Sequence, residues 1–476
     1  MSGQAETVQA RTVQARPALD LRFRTALARM AAADRIATVT RKVDPELEVA
    51  GLMKRHDGDR ALLFENVIGS SMPVLGNFLA SPPNVEAAFG TDRYGVRAAM
   101  LGAITDQIPP RMVDDAPCQT IRIDRDIELG SIFPVLRHAP GDVGRFFTAG
   151  VVIVRDPISG VHNASYHRMQ LLGGNRTAIK LDYGRHLRAA HERAIASGVD
   201  LPIVVCIGTN LSLMYAGAFM GSQMPEEADE LAAAGGIQGS PLAMTRALTS
   251  DLPVPAECEI VLEARISPTE TTAEGPFAEF VGYSSVDAAA PIMTVDAVTH
   301  RPDPIYYAIS GAGRETVMLR KYVLEASALC AVKTAVPIVT DVNLTAGGLY
   351  RFHLVVQVAK RSPQHDGFQR NAMLAAFAAL KDLDQVIVVD DDIDPHDPVE
   401  VEYAVATRVE ASRDLILIPG ARGHEYVRVS DRGMRTKMGI DATVPFSERE
   451  RFTRVPFADV ALGAGDFHVG TDRRFE

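Results

Sequence analysis

Between residues 117 and 320 the sequence breaks into short apolar runs: QTIRIDR, AGVVIVRDP, NRTAIKLD, LPIVVCIG, CEIVLEARIS, FAEFVGYSS, MTVDAVTHR and PIYYAIS. Most are bounded by Gly, Pro, Asp or Asn, so they fit short β-strands ended by turns. A succession of such strands points to a barrel-like or split sheet, which constrains the fold more than any other feature. Two helical inserts, GRHLRAAHERAIASG and PEEADELAAAGG, interrupt the series.

The flanking regions have a different texture. Residues 1–17 read as a frayed terminus, and residues 18–116 mix a helical pattern (LRFRTALARMAAADR) with strand-like runs (RIATVTRKV, RALLFENV). From 321 to 476, helices alternate with strands: KYVLEASALCAVKTA precedes AVPIVTDVNL, and NAMLAAFAALKDLD precedes QVIVVDDDID. That alternation predicts βαβ units. The expected fold class is therefore α+β or α/β with several domains: an N-terminal α/β region, the β-rich centre at 117–320, and a C-terminal α/β domain at 321–476. No repeat of about 20–50 residues is present, which sets solenoids and propellers aside.

The formal net charge of −11 is spread along the chain and argues against nucleic acid as a partner. No run reaches the roughly 18 apolar residues of a membrane helix, and the start lacks the apolar core of a secretory signal. Cys118, Cys206, Cys258 and Cys330 are widely separated. Four buried free thiols in a reducing cytoplasm are the expectation.

The stretch TTAEGPFAEFVGY, residues 271–283, carries two glutamates, Glu274 and Glu279, around a Gly-Pro break. Strand alternation after Pro276 places Phe277, Glu279, Val281 and Tyr283 on one face. A carboxylate in such an apolar row is costly unless paired or protonated. Residues 160–194 are dense in polar groups. His186 falls at the start of a helix, where free N–H groups favour an anion, and Asn163 on the preceding β segment offers an oxygen ligand. His186 and His191 are five apart and do not share a face as a zinc HxxxH pair would. Glu226, Glu227, Asp229 and Glu230 fall in the first turns of the next helix, where they suit the helix dipole. One of them could complete a His-Asn-Glu set suited to manganese or magnesium. Asp390, Asp391, Asp392 and Asp394 end a strand and suit a solvated loop better than a metal site. The glycine-rich SGAGRE (310–315) matches neither dinucleotide nor Walker loops. No GxSxG elbow is present, and a chain without Trp is poorly equipped to stack sugars.

Taken together, HNASYHR, DYGRH, DELAAAG and EGPFAEFVGY resemble the motifs of the UbiD-type decarboxylases. The resemblance extends through LFENVIGSSMPVLGNFLASPPNVEAAFG, VTHRPDPIY, VIVVDDDIDPHDPVEVEYAVATR and KMGIDAT, in the family's order. It implies a split β-barrel that binds prenylated FMN, a C-terminal α/β domain that makes oligomer contacts, and an active site in the cleft between them. Asn163, His186 and Glu230 match the family's metal ligands, usually for Mn²⁺, with K⁺ nearby. Asn163, Ala164, Ser165, Tyr166, His167 and Arg168, with Arg185 and His186, would line the flavin. Lys360 resembles a cofactor-contacting lysine. Glu274, Arg168 and Glu279 match the Glu-Arg-Glu network, with Glu279 as the proton donor.

The implied reaction is reversible decarboxylation of an unsaturated or aromatic acid. Loss of CO₂ from an sp² carbon leaves electrons that no side chain can absorb, so a cofactor must take them. The apolar row is expected to raise the pKa of Glu279, as suits an acid. Asn163 and Arg168 are an odd number apart, so one site requires a bend between them. An aromatic or heteroaromatic acid (benzoate-, phenazine-, furan- or pyrrole-type) is the expected substrate, with CO₂ as the second reaction partner. Arg314 or His353 could anchor a polar substituent. A flavin prenyltransferase would supply the cofactor, and a homodimer or a hexamer of dimers is expected. The ubiquinone-precursor hydroxybenzoate, a cinnamic-type acid, a flavin-free metal hydrolase and a non-catalytic relative stay open as alternatives.

Overall fold

The computed structural model describes residues 17–182, 185–219 and 228–457. Its centre is a nine-stranded sheet built on a long hairpin, Ile260–Ala278 and Ser284–His300. Leu201–Ile207 pairs with the first hairpin strand, Val151–Arg155 with Leu201–Ile207, and His162–Tyr166 with Val151–Arg155, all antiparallel. On the hairpin's other side, Arg176–Ile179 pairs with the second strand and Met169–Gly173 with Arg176–Ile179.

This order forces the sheet to curl. His162–Tyr166 ends one flank, Met169–Gly173 lies near the end of the other, and only His167 and Arg168 separate them in sequence. The three Cα–Cα steps from Tyr166 to Met169 span about 11 Å at most, so the flanks must approach each other. The expected split barrel is the result, with Arg168 at its seam. The same break resolves the odd spacing of Asn163 and Arg168, because the strand stops between them.

The interior explains the closure. Val151, Val152, Ile153 and Val154 are all fully buried, as are Val204 and Val205. Unbroken apolar runs of this kind occur where both sheet faces are covered. The helix His186–Ser197 packs on the sheet, and Glu230–Gln238 packs on the strand His162–Tyr166.

The N-terminal region pairs Ile36–Val39 with Ala61–Phe64 and Ala61–Phe64 with Val74–Gly76. Tyr306–Tyr307 returns from the barrel to join this sheet beside Val74–Gly76. The C-terminal sheet has five strands, with His353–Val358, Gln385–Asp390 and Met434–Ala442 parallel at its centre. Phe368–Ala379 and Pro398–Arg408 supply the crossover helices, as the alternating pattern predicts. The 22-residue helix Arg314–Ala335 runs through residue 320, so that expected edge falls inside a helix. Cys118, Cys206 and Cys258 are buried thiols, but Cys330 is exposed, on the helix's outer side. No described helix is long and apolar enough to cross a membrane.

One buried ion pair joins the regions. Arg97, on the helix Arg93–Thr105, donates from Nη1 to Asp341 Oδ1 at 2.6 Å, and His396 Nε2 lies 3.0 Å from Asp341 Oδ2. Burial opposes ionisation of Asp341, but His396 and Arg97 hold its carboxyl at about 2 rather than 3.8. A depressed carboxylate stabilises the fold above its unfolded pKa and loses that contribution as pH falls through the folded value. Arg97→Ala should therefore cost about 3–5 kcal/mol at pH 7, because it strands a buried charge. Urea midpoints should also show a smaller loss between pH 5 and pH 2 than in the wild type.

Candidate active site

Arg168 leaves the barrel seam and inserts between two carboxylates of the long hairpin. Nε donates to Glu274 Oε1 at 2.6 Å and Nη2 to Glu274 Oε2 at 2.9 Å, a bidentate pair with a fully buried glutamate. Nη1 donates to Glu279 Oε1 at 2.5 Å, and Nη2 also reaches Ser285 Oγ at 3.2 Å. The guanidinium carbon sits 4.9 Å from the centroid of Phe277, whose ring packs on Phe146 and His138. Planar fork geometry and an aromatic face are the surroundings that suit arginine rather than lysine.

The hairpin brings both glutamates to one guanidinium by two irregularities. Its register shifts between Glu274 and Phe277, and the strand then ends at Ala278. Glu279 N donates to Tyr283 O and Gly282 N to Glu279 O, both at 2.8 Å, closing a turn in which Gly282 has φ +86°. The expected single face of Phe277, Glu279, Val281 and Tyr283 therefore does not form. Phe277 is buried in the strand, whereas Glu279 opens the turn.

The electrostatics differ from expectation in the same place. Burial pushes the Glu279 carboxyl up, but Arg168, Lys180 and the Ser285 hydroxyl outweigh it and hold the group below the ordinary carboxylate range. Lys180 Nζ lies 3.1 Å from Glu279 Oε1 and 2.8 Å from Ser285 Oγ. The apolar row does not raise this carboxyl as expected, because Lys180 joins Arg168 beside it, and Lys180 was the neighbour not foreseen from the sequence. Burial also opposes charge on Arg168, yet Glu274 and Glu279 keep it a cation.

Beside the seam, Asn163, His186 and Glu230 converge. Asn163 Nδ2 donates to Glu230 Oε1 at 2.8 Å and lies 3.2 Å from His186 Nδ1, which is 3.4 Å from Glu230 Oε1. His186 opens its helix with Arg185 at the N-cap, while Asp229 caps the helix that Glu230 begins. Glu226 and Glu227, like Tyr183 and Gly184 of the DYGRH motif, lie outside the described residues. Glu230 Oε2 is buried with no hydrogen-bond partner, and burial pushes its carboxyl up, ahead of the opposing pull of His186. A carboxylate oxygen, an amide and an imidazole around an unpartnered buried oxygen fit a hard divalent cation.

Two cavities flank these residues. One of about 520 Å³ is lined by Tyr166, His167, Arg168, Lys180, Arg185 and Glu279 on the barrel side. A smaller one of about 130 Å³ is lined by Asn163 and His186. Ala164 is buried behind the strand, and Ser165 Oγ bridges Asn163 Oδ1 at 3.0 Å and the His167 ring at 3.1 Å. The larger cavity's other wall comes from the helix Arg314–Ala335 and the C-terminal domain, through Leu319, Arg320, Leu324, Arg351, Asp382 and Tyr426.

Lys360 is not at the cavity. It is fully buried in the C-terminal domain, with Nζ bonded to Asp366 Oδ1, Thr443 Oγ1 and Val444 O. Lys381 is the C-terminal lysine that lines the cleft. Arg314 is exposed and His353 faces Thr345, so neither reaches it. Asp390 and Asp392 pair with Arg408, Asp391 pairs with Arg449 and Arg361, and Asp394 accepts from the His396 backbone. Among the described residues no group of three His, Cys, Asp or Glu side chains is placed to hold a metal. Lys180 was legible only as a lone lysine closing an apolar strand. The glycines of SGAGRE have a packing role: a Cβ on Gly311 would meet Ala278 O at 2.3 Å.

Three family models cover most of the chain. Residues 27–101, 111–314 and 317–442 match the N-terminal, Rift-related and C-terminal domains of 3-octaprenyl-4-hydroxybenzoate carboxy-lyase. The chain belongs to the UbiD family of carboxy-lyases. It is similar to the UbiD-class enzyme HmfF from Pelotomaculum thermopropionicum, solved in complex with FMN, with TM-score 0.87 and 37% identity over 91% of this chain and 97% of that one. It also resembles the 3,4-dihydroxybenzoic acid decarboxylase AroY of Klebsiella pneumoniae, with TM-score 0.86 and 28% identity over 92% and 97% of the two chains. The anhydromevalonate phosphate decarboxylase of Methanothermobacter thermautotrophicus is 34% identical over 87% of this chain and 95% of its own.

The two cations beside Glu279 can be separated. Lys180→Met removes one of them, so the Glu279 pKa should rise. The carboxylic-acid infrared band should persist to higher pH than in the wild type, and an unchanged titration would refute this assignment.

Proposed function

We propose that this chain is a prenylated-FMN-dependent decarboxylase that acts reversibly on an aromatic or heteroaromatic acid. The observation that carries this reading is Arg168 clamped between Glu274 and Glu279 at the wall of a 520 Å³ cavity. Prenylated FMN, when bound, supplies the electron sink for the carbon that loses CO₂. The residues of the larger cavity's barrel side would face its ring system, while Arg185, at the N-cap of the His186 helix, suits its phosphate. Asn163, His186 and Glu230 would hold Mn²⁺ next to that phosphate, with K⁺ close by.

Glu279 is the proposed proton donor. It rests as a carboxylate, so it must take up a proton when the acid enters. A substrate carboxylate drawn towards Arg168 supplies the reason. It competes for the guanidinium and adds a second negative charge, and both effects raise the pKa of Glu279. Glu274, held bidentate and buried, stays ionised and fixes the guanidinium plane. Phe277 and Phe280 exclude water from one side of the cleft.

A phosphorylated unsaturated acid is the second reading, favoured by the 34%-identical relative whose name specifies such a substrate. A flavin prenyltransferase would provide the cofactor under either reading. Assembly through the C-terminal domain, as a homodimer or a hexamer of dimers, is supported by exposed Leu417 on the edge strand Leu415–Arg422.

Glu279→Gln should lower CO₂ release and product H/D exchange by about 10²–10⁴-fold in protein loaded with prenylated FMN, while flavin content stays at the wild-type level. Full activity in that variant would refute the assignment. Glu230→Ala should abolish retention of Mn²⁺ after gel filtration, measured by elemental analysis, and metal retained at the wild-type ratio would exclude this site.

A further inference from the structure

The cleft holds more positive charge than its carboxylates neutralise. Arg168 is matched by Glu274 and Glu279, and Lys180 shares Glu279. Arg351 donates from Nε to Asp382 Oδ2 at 2.8 Å, with Nη2 on the same oxygen. Asp182, another acid of the lining, accepts from the Tyr426 hydroxyl at 3.3 Å.

Arg320 stands apart. It projects from the helix Arg314–Ala335 into the cavity and is half-buried. Among the described residues it has neither an ion pair nor a hydrogen bond. Burial, together with the neighbouring cations Arg351 and Arg185, pushes its pKa well below the ordinary arginine value and outweighs the opposing pull of Asp182 and Asp382, neither of which bonds to it. A guanidinium withdrawn from water and faced by like charges is unfavourable by itself, and an anion that reaches it relieves both costs. The other cations of the lining are otherwise engaged or placed. Arg185 sits at the helix start beside His186, Lys381 is exposed to solvent, and Arg422 is exposed with Nη1 donating to Arg432 O at 3.1 Å. Leu319, Leu324 and Phe280 line the same cavity, so the slot combines apolar surface with charged groups. Such a slot orients a flat or branched unsaturated carbon frame and reads charge at its ends.

We propose that Arg320 binds a second anionic group of the substrate, a carboxylate or a phosphate, distinct from the carboxylate that departs. This rests on the decarboxylase reading above and makes Arg320 its specificity-determining residue. A fork of N–H donors suits either oxyanion, and a monocarboxylate would leave it unmatched.

The test uses protein loaded with prenylated FMN and three probes: furan-2-carboxylate, furan-2,5-dicarboxylate and anhydromevalonate phosphate. Binding is followed by flavin absorbance and turnover by CO₂ release. The wild type should bind one of the two probes that carry a second anionic group about 10- to 100-fold more tightly than the monoacid, the span of a charged hydrogen bond. In Arg320→Leu that preference should collapse through KM rather than kcat, and Arg320→Lys should restore part of it. Preference for the dicarboxylate assigns the group as a carboxylate, and preference for the phosphorylated acid assigns it as a phosphate. Equal binding of all probes by the wild type, or equal weakening of all by Arg320→Leu, overturns the proposal. Arg320-dependent binding without CO₂ release overturns the decarboxylase reading and leaves Arg320 standing as an anion site. Turnover of the monoacid with no preference does the reverse.

Discussion

A single guanidinium, that of Arg168, is shared between two carboxylates of one hairpin, and much of the molecule can be understood as the means of placing it there. Its backbone lies in the two-residue link that brings the ends of the sheet together. Its face rests on Phe277, which is itself wedged against Phe146 and His138. Closing the barrel and assembling the charged network are therefore one structural event. A side chain with fewer donors could not bridge Glu274, Glu279 and Ser285 from one position.

The two carboxylates are treated unequally. Glu274 receives both N–H groups of one edge and is sealed from solvent, so nothing in the cavity can exchange with it. Glu279 takes one arginine donor, shares Lys180 and Ser285, and sits on a turn. Only Glu279 can trade partners when a charged ligand arrives. The network thus separates a permanent counter-ion from an exchangeable acid using the same amino acid, and the difference comes from backbone position.

The sequence made some of this legible because the information was local. Strand runs, breakers and helix starts are encoded in neighbouring residues, so the β-rich centre and the βαβ region could be read directly. Glu274, Arg168, Glu279, Asn163, His186 and Glu230 were legible from motif resemblance, and the fold brings them into two adjoining clusters. The failures were non-local. The charge state of Glu279 depends on Lys180, about a hundred residues away in sequence, and alternation alone suggested an apolar environment. The strand was read through to Tyr283 because the turn after Ala278 has no proline and only one glycine. Lys360 looked like a cleft residue but satisfies the C-terminal core, whereas Lys381 and Arg320 reach the cavity from segments that pattern alone marks as ordinary helix.

Gly311 has a wider consequence. Ala278, the last strand residue before Glu279, presses on it so closely that no Cβ fits, and the helix carrying Arg320 begins three residues later. Backbone rests on backbone, so this contact acts as a fixed gauge between the Glu279 turn and the opposite wall. A chain built this way meets a longer or shorter acid by exchanging the side chains that project from the helix, while the gauge itself stays constant. Diversification of substrate and preservation of chemistry are thereby assigned to different atoms of the same wall.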